Sequence, residues 1–165
     1  MVRISRGSLA FLMASLLVAC SDGGSGPTGG GTGGTITATV DGTSFAPRST
    51  EVSASYAGGA LAFAASQTTG STTRTININL VGVTAPGTFT LSPTTPGSIA
   101  LLTVTTGLTP STWTTALSPG SGTVQVTTLT ANRATGTFSF TGQFSPTTSA
   151  TGQKTVTAGQ FDVSF

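Results

Sequence analysis

The chain has 165 residues, of which only 6% are charged, far below the roughly 25% of ordinary soluble domains. Its formal charge of +2 resides in Arg3 and Arg6, because Arg48, Arg74, Arg133 and Lys154 are balanced by Asp22, Asp41, Glu51 and Asp162, and there is no histidine and one cysteine. This composition argues against an electrostatic footprint for nucleic acid, a polybasic patch for anionic lipid, histidine acid–base chemistry and a cysteine metal cluster.

The N-terminus starts with basic Arg3 and Arg6, continues through an apolar run over residues 9–18 and closes on small residues, the three parts of an export signal. The run is about half of the roughly 20 residues that a membrane span requires. It ends in Leu17-Val18-Ala19-Cys20, which resembles the bacterial lipobox, where the cysteine thiol is diacylated, the preceding peptide bond is cut and the new amino terminus is usually acylated. The resemblance makes residues 1–19 a lipoprotein signal peptide and Cys20 the lipid-attachment residue. The competing reading is an ordinary signal peptide that leaves Cys20 unmodified. Residues 20–34 read as a lipidated cysteine followed by a glycine-rich tether, with Pro27 and no large apolar residue. An unmodified thiol there would be a liability in an oxidising compartment.

The membrane is therefore the expected partner, held by acyl chains on Cys20. Each buried methylene contributes about 0.8 kcal/mol, so two or three chains anchor far more durably than one. Ser21, not aspartate, follows the cysteine. In a host with two membranes and the enterobacterial sorting rule, that favours the outer membrane over the inner.

Residues 35–165 read as a single all-β domain, rich in threonine, with Val, Ile and Phe recurring at period two between Gly, Pro and Asn clusters. Residues 35–40 alternate and meet Asp41-Gly42, the pair preferred by a type I′ hairpin, with a short return strand carrying Phe45. Strands are expected at 51–56, with Val52, Ala54 and Tyr56 on one face, and at 60–67, with Leu61 and Phe63, across a Gly58-Gly59 turn. Residues 72–81 carry Ile76, Ile78 and Leu80 on one face and polar residues on the other, the pattern of a half-buried strand.

Residues 87–91 follow, with Phe89 and Leu91 inward, and then residues 99–106, apolar enough to be read as buried on both faces. Residues 111–117 hold Trp113 and are bounded by Pro110 and Pro119, which predicts a short edge strand. Residues 122–130 and 135–144 form a long hairpin with a bulge near Thr127-Thr128, because Leu129 is out of phase with Val124 and Val126. The last strand, 154–165, ends on Phe161, Val163 and Phe165. The expected architecture is an antiparallel β-sandwich of about ten short strands, with a flattened β-barrel as the alternative.

Several of these strands carry a resemblance. Residues 121–130, Asn132, Thr135-Gly136-Thr137-Phe138-Ser139-Phe140 and 156–163 are similar to the closing strands of a family of uncharacterised bacterial lipoproteins of Bacteroidetes type, in which a G-T-F-x-F strand recurs. Thr39-Val40-Asp41-Gly42-Thr43-Ser44-Phe45 resembles that family's first hairpin, with Phe45 where tryptophan is usual. The resemblance implies the β fold and a surface location. It lends no activity.

Nothing in the sequence builds a catalytic site, so the chain reads as a non-enzyme with no cofactor and no metal. The serines lack a histidine partner, and Asp41, Glu51 and Asp162 are scattered. Trp113 and Tyr56 are the candidates for a ligand platform on which a glycan or peptide could rest. Their other reading is as core or edge residues filling volume, which is expected in the absence of an aromatic cluster. The function expected is a membrane-anchored envelope lipoprotein acting as a structural or interaction module, with an envelope protein or glycan as partner. The alternative is a carbohydrate-binding or adhesin-like surface domain.

Overall fold

A computed structural model describes residues 31–165. The signal segment and Cys20 lie outside the described residues. Along the described chain run β1 (Gly31–Thr32), β2 (Gly34–Val40), β3 (Thr43–Phe45), a single 3-10 turn at Ser49–Glu51, β4 (Val52–Ala57), β5 (Ala60–Thr69) and β6 (Thr72–Leu80). They continue as β7 (Gly87–Leu91), β8 (Ile99–Thr106), β9 (Thr109–Thr114), β10 (Ser121–Leu129), β11 (Arg133–Phe144) and β12 (Gln153–Ser164). Every pairing between them is antiparallel.

The hairpins form where the turn chemistry allows. Asp41 and Gly42 both take positive φ, 45° and 81°, which matches the turn's twist to that of the flanking strands. Gly58 and Gly59 do the same between β4 and β5.

The ladder runs β1-β4-β5-β6-β8-β9-β11-β12-β2-β3, with β10 on β11 and β7 on β10, and it does not close on itself. It folds over into two layers, which makes the architecture an antiparallel sandwich. The first layer is β1-β4-β5-β6-β8-β9, and the second is β7-β10-β11-β12-β2-β3. They join at one corner where β9 meets only the end of β11, through Gln143↔Thr114 and Phe144↔Trp113. At the other corner Gly33 links β1 to β2, and its N–H donates to Val52 O at 3.0 Å. Phe63 of β5 stacks on Phe161 of β12 with ring centroids 4.5 Å apart and lies 6.1 Å from Phe138 of β11, so the core sits between the layers. Around those rings pack Ile36, Phe45, Leu61, Ile78, Leu102 and Val124, all fully buried.

Three expectations are corrected. The domain starts before residue 35: β1 draws Gly31 into the sheet, where a Cβ would collide with Ser164 O and Phe165 Cα. Glycine there serves close packing as well as any tether. The described residues form twelve strands, in keeping with the expected sandwich of short strands; β1, two residues long, is too short to announce itself by periodicity. β8 is buried on one face only, through Ala100 and Leu102, while Ile99 and Leu101 are half-buried. Finally, β9 is an edge strand over only part of its length. It spans Pro110, pairs with β8 from Leu101↔Thr114 to Thr106↔Thr109, and meets β11 at its end. Pro110 is tolerated because a strand position needs only its carbonyl here, and that carbonyl accepts from Ser149 N–H at 3.4 Å.

The expected bulge is present: the β10/β11 register shifts between Val126 and Thr128. A second bulge in β12 lies at Ala158, whose φ is 49°.

Candidate functional site

Asp41, Lys154, Arg133, Asp162 and Glu51 serve as separate structural clamps. Asp41, in the β2–β3 turn, accepts from Lys154 Nζ at 2.6 Å and from Thr155 N–H at 2.8 Å, tying that turn to β12. Arg133 and Asp162 form a two-pronged pair between β11 and β12, at 2.7 Å from Nε and 2.5 Å from Nη2. Glu51 accepts from Arg48 N–H at 3.0 Å and closes the 3-10 turn. Asp41, Glu51 and Asp162 thus have different partners. Among the described residues, no group of three or more His, Cys, Asp and Glu side chains gathers.

The clamps set a pH response. Partial burial pushes the Asp41 carboxyl up, but the hydrogen bonds from Lys154 and Thr155 and the lysine charge outweigh it and hold it below the usual aspartate value. Hydrogen bonds from Arg133 hold Asp162 low, against a smaller opposing effect of burial and with help from the arginine charge. Carboxyls depressed in the folded state stabilise it above their unfolded value of about 3.9, and that contribution disappears as pH falls through the folded values. With no histidine in the chain, stability is expected to be level from about pH 5 to 8 and to decline below about pH 4. Exposed pairs contribute about 0–1 kcal/mol each, so Asp41→Asn should lower stability modestly at neutral pH and flatten the acid decline. Urea denaturation at a series of pH values checks this. An acid limb unchanged in Asp41→Asn would contradict it.

Trp113 and Tyr56 do not form an exposed platform. Trp113 is 6% exposed; its Nε1–H donates to Thr151 O at 3.2 Å, and Lys154 Nζ lies 5.6 Å from its ring centroid. It fills the β9 corner and holds the loop before β12. Tyr56 is half-buried, with its ring 5.3 Å from that of Phe165 and its hydroxyl donating to Val83 O at 2.7 Å. Asn77 and Asn79, on β6, bond to each other at 2.7 Å. Both aromatics are therefore committed to packing, because each has a polar tip that finds a backbone carbonyl beside the core.

The registers assemble instead a polar surface on the outside of the second layer. Thr88 faces Gln125, Gln125 faces Thr137, Thr137 faces Gln160 and Gln160 faces Thr37, one unbroken row across β7, β10, β11, β12 and β2. Alternate side chains share a face, so parallel rows flank it: Thr90, Thr123 and Ser139 on one side, and Thr135, Asp162 and Thr35 on the other. Two shallow grooves of about 330 and 420 Å³ lie along this surface and share Thr137 and Gln160. Its hydroxyls and amides can donate and accept hydrogen bonds. Apart from the Arg133–Asp162 pair at its margin, the rows carry no charge. The surface is suited to a neutral, polar ligand.

The sequence signal for this surface was the alternation of threonines at 35/37/39, 135/137 and 155/157. Alternation alone places such residues on the solvent-facing halves of separate strands. The rows exist only through strand pairing, which alternation does not disclose.

Comparison with curated proteins and with solved structures finds no match. A family model does match, over residues 33–162, from the Gly33 corner through the Arg133–Asp162 clamp. The chain belongs to the family described as a domain of unknown function, DUF6252.

Proposed function

We propose that the protein is a lipid-anchored bacterial envelope protein, held by acyl chains on Cys20, whose β-sandwich is a non-enzymatic structural or interaction module. The observation that carries this reading is the segment from Arg3 to Cys20, with its basic start, short apolar run and Leu17-Val18-Ala19-Cys20 ending. Two features support it. The first described strand begins at Gly31, so residues 21–30 lie between Cys20 and the sheet. The ionisable groups Asp41, Lys154, Arg133 and Asp162 are each engaged in holding strands together. With Ser21 after the cysteine, the outer membrane is the favoured site in a host with two membranes.

The test is Cys20→Ala in the native host, with a labelled fatty acid supplied. The wild type is expected to incorporate label and to sediment with membranes. Cys20→Ala should carry no label and remain as uncleaved precursor. Equal processing of both, without label, would contradict the anchor.

A second reading rests on the threonine and glutamine rows. They favour binding of a neutral glycan through hydroxyl and amide hydrogen bonds, in keeping with a surface adhesin. Retention on immobilised neutral polysaccharides, weakened by Gln125→Ala with Gln160→Ala, would support it. No retention of the wild type would remove it.

A further inference from the structure

The sheet has several edges, and all but one are short or occupied. β3 is three residues long and is followed by Pro47. The outer edge of β4 carries β1 at Ser53 and Ala54, and Val52 O accepts from Gly33 N–H. The free side of β9 takes bonds from Ser145 and Ser149. β7 differs. It pairs with β10 from Gly87↔Val126 to Leu91↔Gly122 without a register shift, and no backbone hydrogen bond among the described residues reaches its other edge.

Edge strands are normally blunted by charge, an internal proline or a bulge. β7 has none of these, and no Asp, Glu, Lys or Arg occurs anywhere between Arg74 and Arg133. A second copy would therefore meet no like-charge repulsion there.

We propose that β7 is a self-pairing edge: two copies of this chain join by antiparallel β7–β7 pairing about a two-fold axis through Phe89. An isologous contact joins the same patch of both copies, and because Thr88-Phe89-Thr90 is palindromic about Phe89, this register sets aromatic against aromatic and threonine against threonine. In that register Phe89 faces the partner's Phe89, and Thr88 faces the partner's Thr90. Gly87 lies opposite the partner's Leu91, so a large side chain meets an empty position. Aromatic and threonine cross-strand pairs are both favourable. Phe89 is only half-buried in one copy and would gain cover from its counterpart. Pro86 immediately before β7 and Pro93 two residues after it confine the pairing to these five residues. With one open edge per copy among the described residues, the assembly closes as a dimer and does not grow into a fibre. The two polar faces would then continue into one another across the joint.

The register makes the test specific. Thr88→Cys and Thr90→Cys are each made in the full chain; both positions are exposed, so neither variant disturbs the core. Oxidation of the two variants together is expected to yield a disulfide-linked dimer, at a level at least about fivefold above either variant alone, because directly opposed Cα atoms fall within disulfide range and the diagonal ones do not. Each variant alone also controls for any contribution from Cys20. Adding Phe89→Lys to both variants should abolish the product at temperatures below the variant's own melting transition, which the loss of Phe89 packing against the core lowers. Three results would overturn the proposal: a mixture no more cross-linked than the single variants, cross-linking that persists with Phe89→Lys, or a disulfide to a different protein.

Discussion

Phe63→Ala is expected to remove about 3–5 kcal/mol of folding stability, a large part of the 5–15 kcal/mol that a domain typically has. Phe63 is 2% exposed and projects from β5 between the layers, against Phe161 and Phe138. Its removal deletes buried apolar surface and leaves a cavity that neither layer can close independently, since each is stitched laterally by its own hydrogen bonds. Among the described residues the two layers share backbone pairing only near the β9–β11 and Gly33 corners, so side-chain packing does most of the work of holding them face to face. Equilibrium urea denaturation measures the loss. Thr123→Ala, on the exposed face of β10, is the control and should stay within about 0.5 kcal/mol of wild type. A Phe63→Ala loss below about 1 kcal/mol would mean that the layers are not packed through this residue.

Gly136→Ala is expected to destabilise by about 1–3 kcal/mol or more, although it adds a single methyl. Gly136 faces inward on β11, opposite Val126 and Phe161. A Cβ there would collide with the Gln125 carbonyl oxygen and lie 2.8 Å from two atoms of the Phe161 ring. The carbonyl is main chain within the β10/β11 pairing and cannot rotate away. The ring is stacked on Phe63 at 4.5 Å and has little freedom to retreat. Shrinking the ring in the same background, as Gly136→Ala with Phe161→Leu, should therefore cost less than the sum of the two single changes. Rescue stays partial because the Gln125 contact remains. A Gly136→Ala variant as stable as wild type would contradict this close approach between β11 and its neighbours.

Much of the fold was legible because the strands are governed by local chemistry. Ile76, Ile78 and Leu80 alternate with polar residues, and all three are buried in β6. Asp41-Gly42 announced its hairpin, and the phase break at Leu129 announced the bulge beside Val126. What was not legible is nonlocal. The prolines around Trp113 suggested an edge, yet β8 and the end of β11 pair with that strand from opposite sides, and no local pattern reports partners about 30 residues away. β1 was hidden in the glycine-rich stretch because Gly31 has no side chain to show periodicity, while its packing against Ser164 is what calls for glycine.

The polar surface was hidden for a related reason. Trp113 and Tyr56, the conspicuous residues of the sequence, pack in the fold as aromatics without an exposed cluster are expected to. The row Thr88, Gln125, Thr137, Gln160 and Thr37 consists of common residues whose alignment depends on four separate registers. Its lack of charge, visible in the composition as a whole-chain property, becomes a surface property once the strands are paired.

The most direct test of the account is the intact mass of the protein extracted from the membranes of its own host. The account predicts a chain beginning at Cys20 and carrying two or three acyl groups. A soluble chain of unmodified peptide mass, cleaved elsewhere or at Cys20 without added lipid, would contradict it.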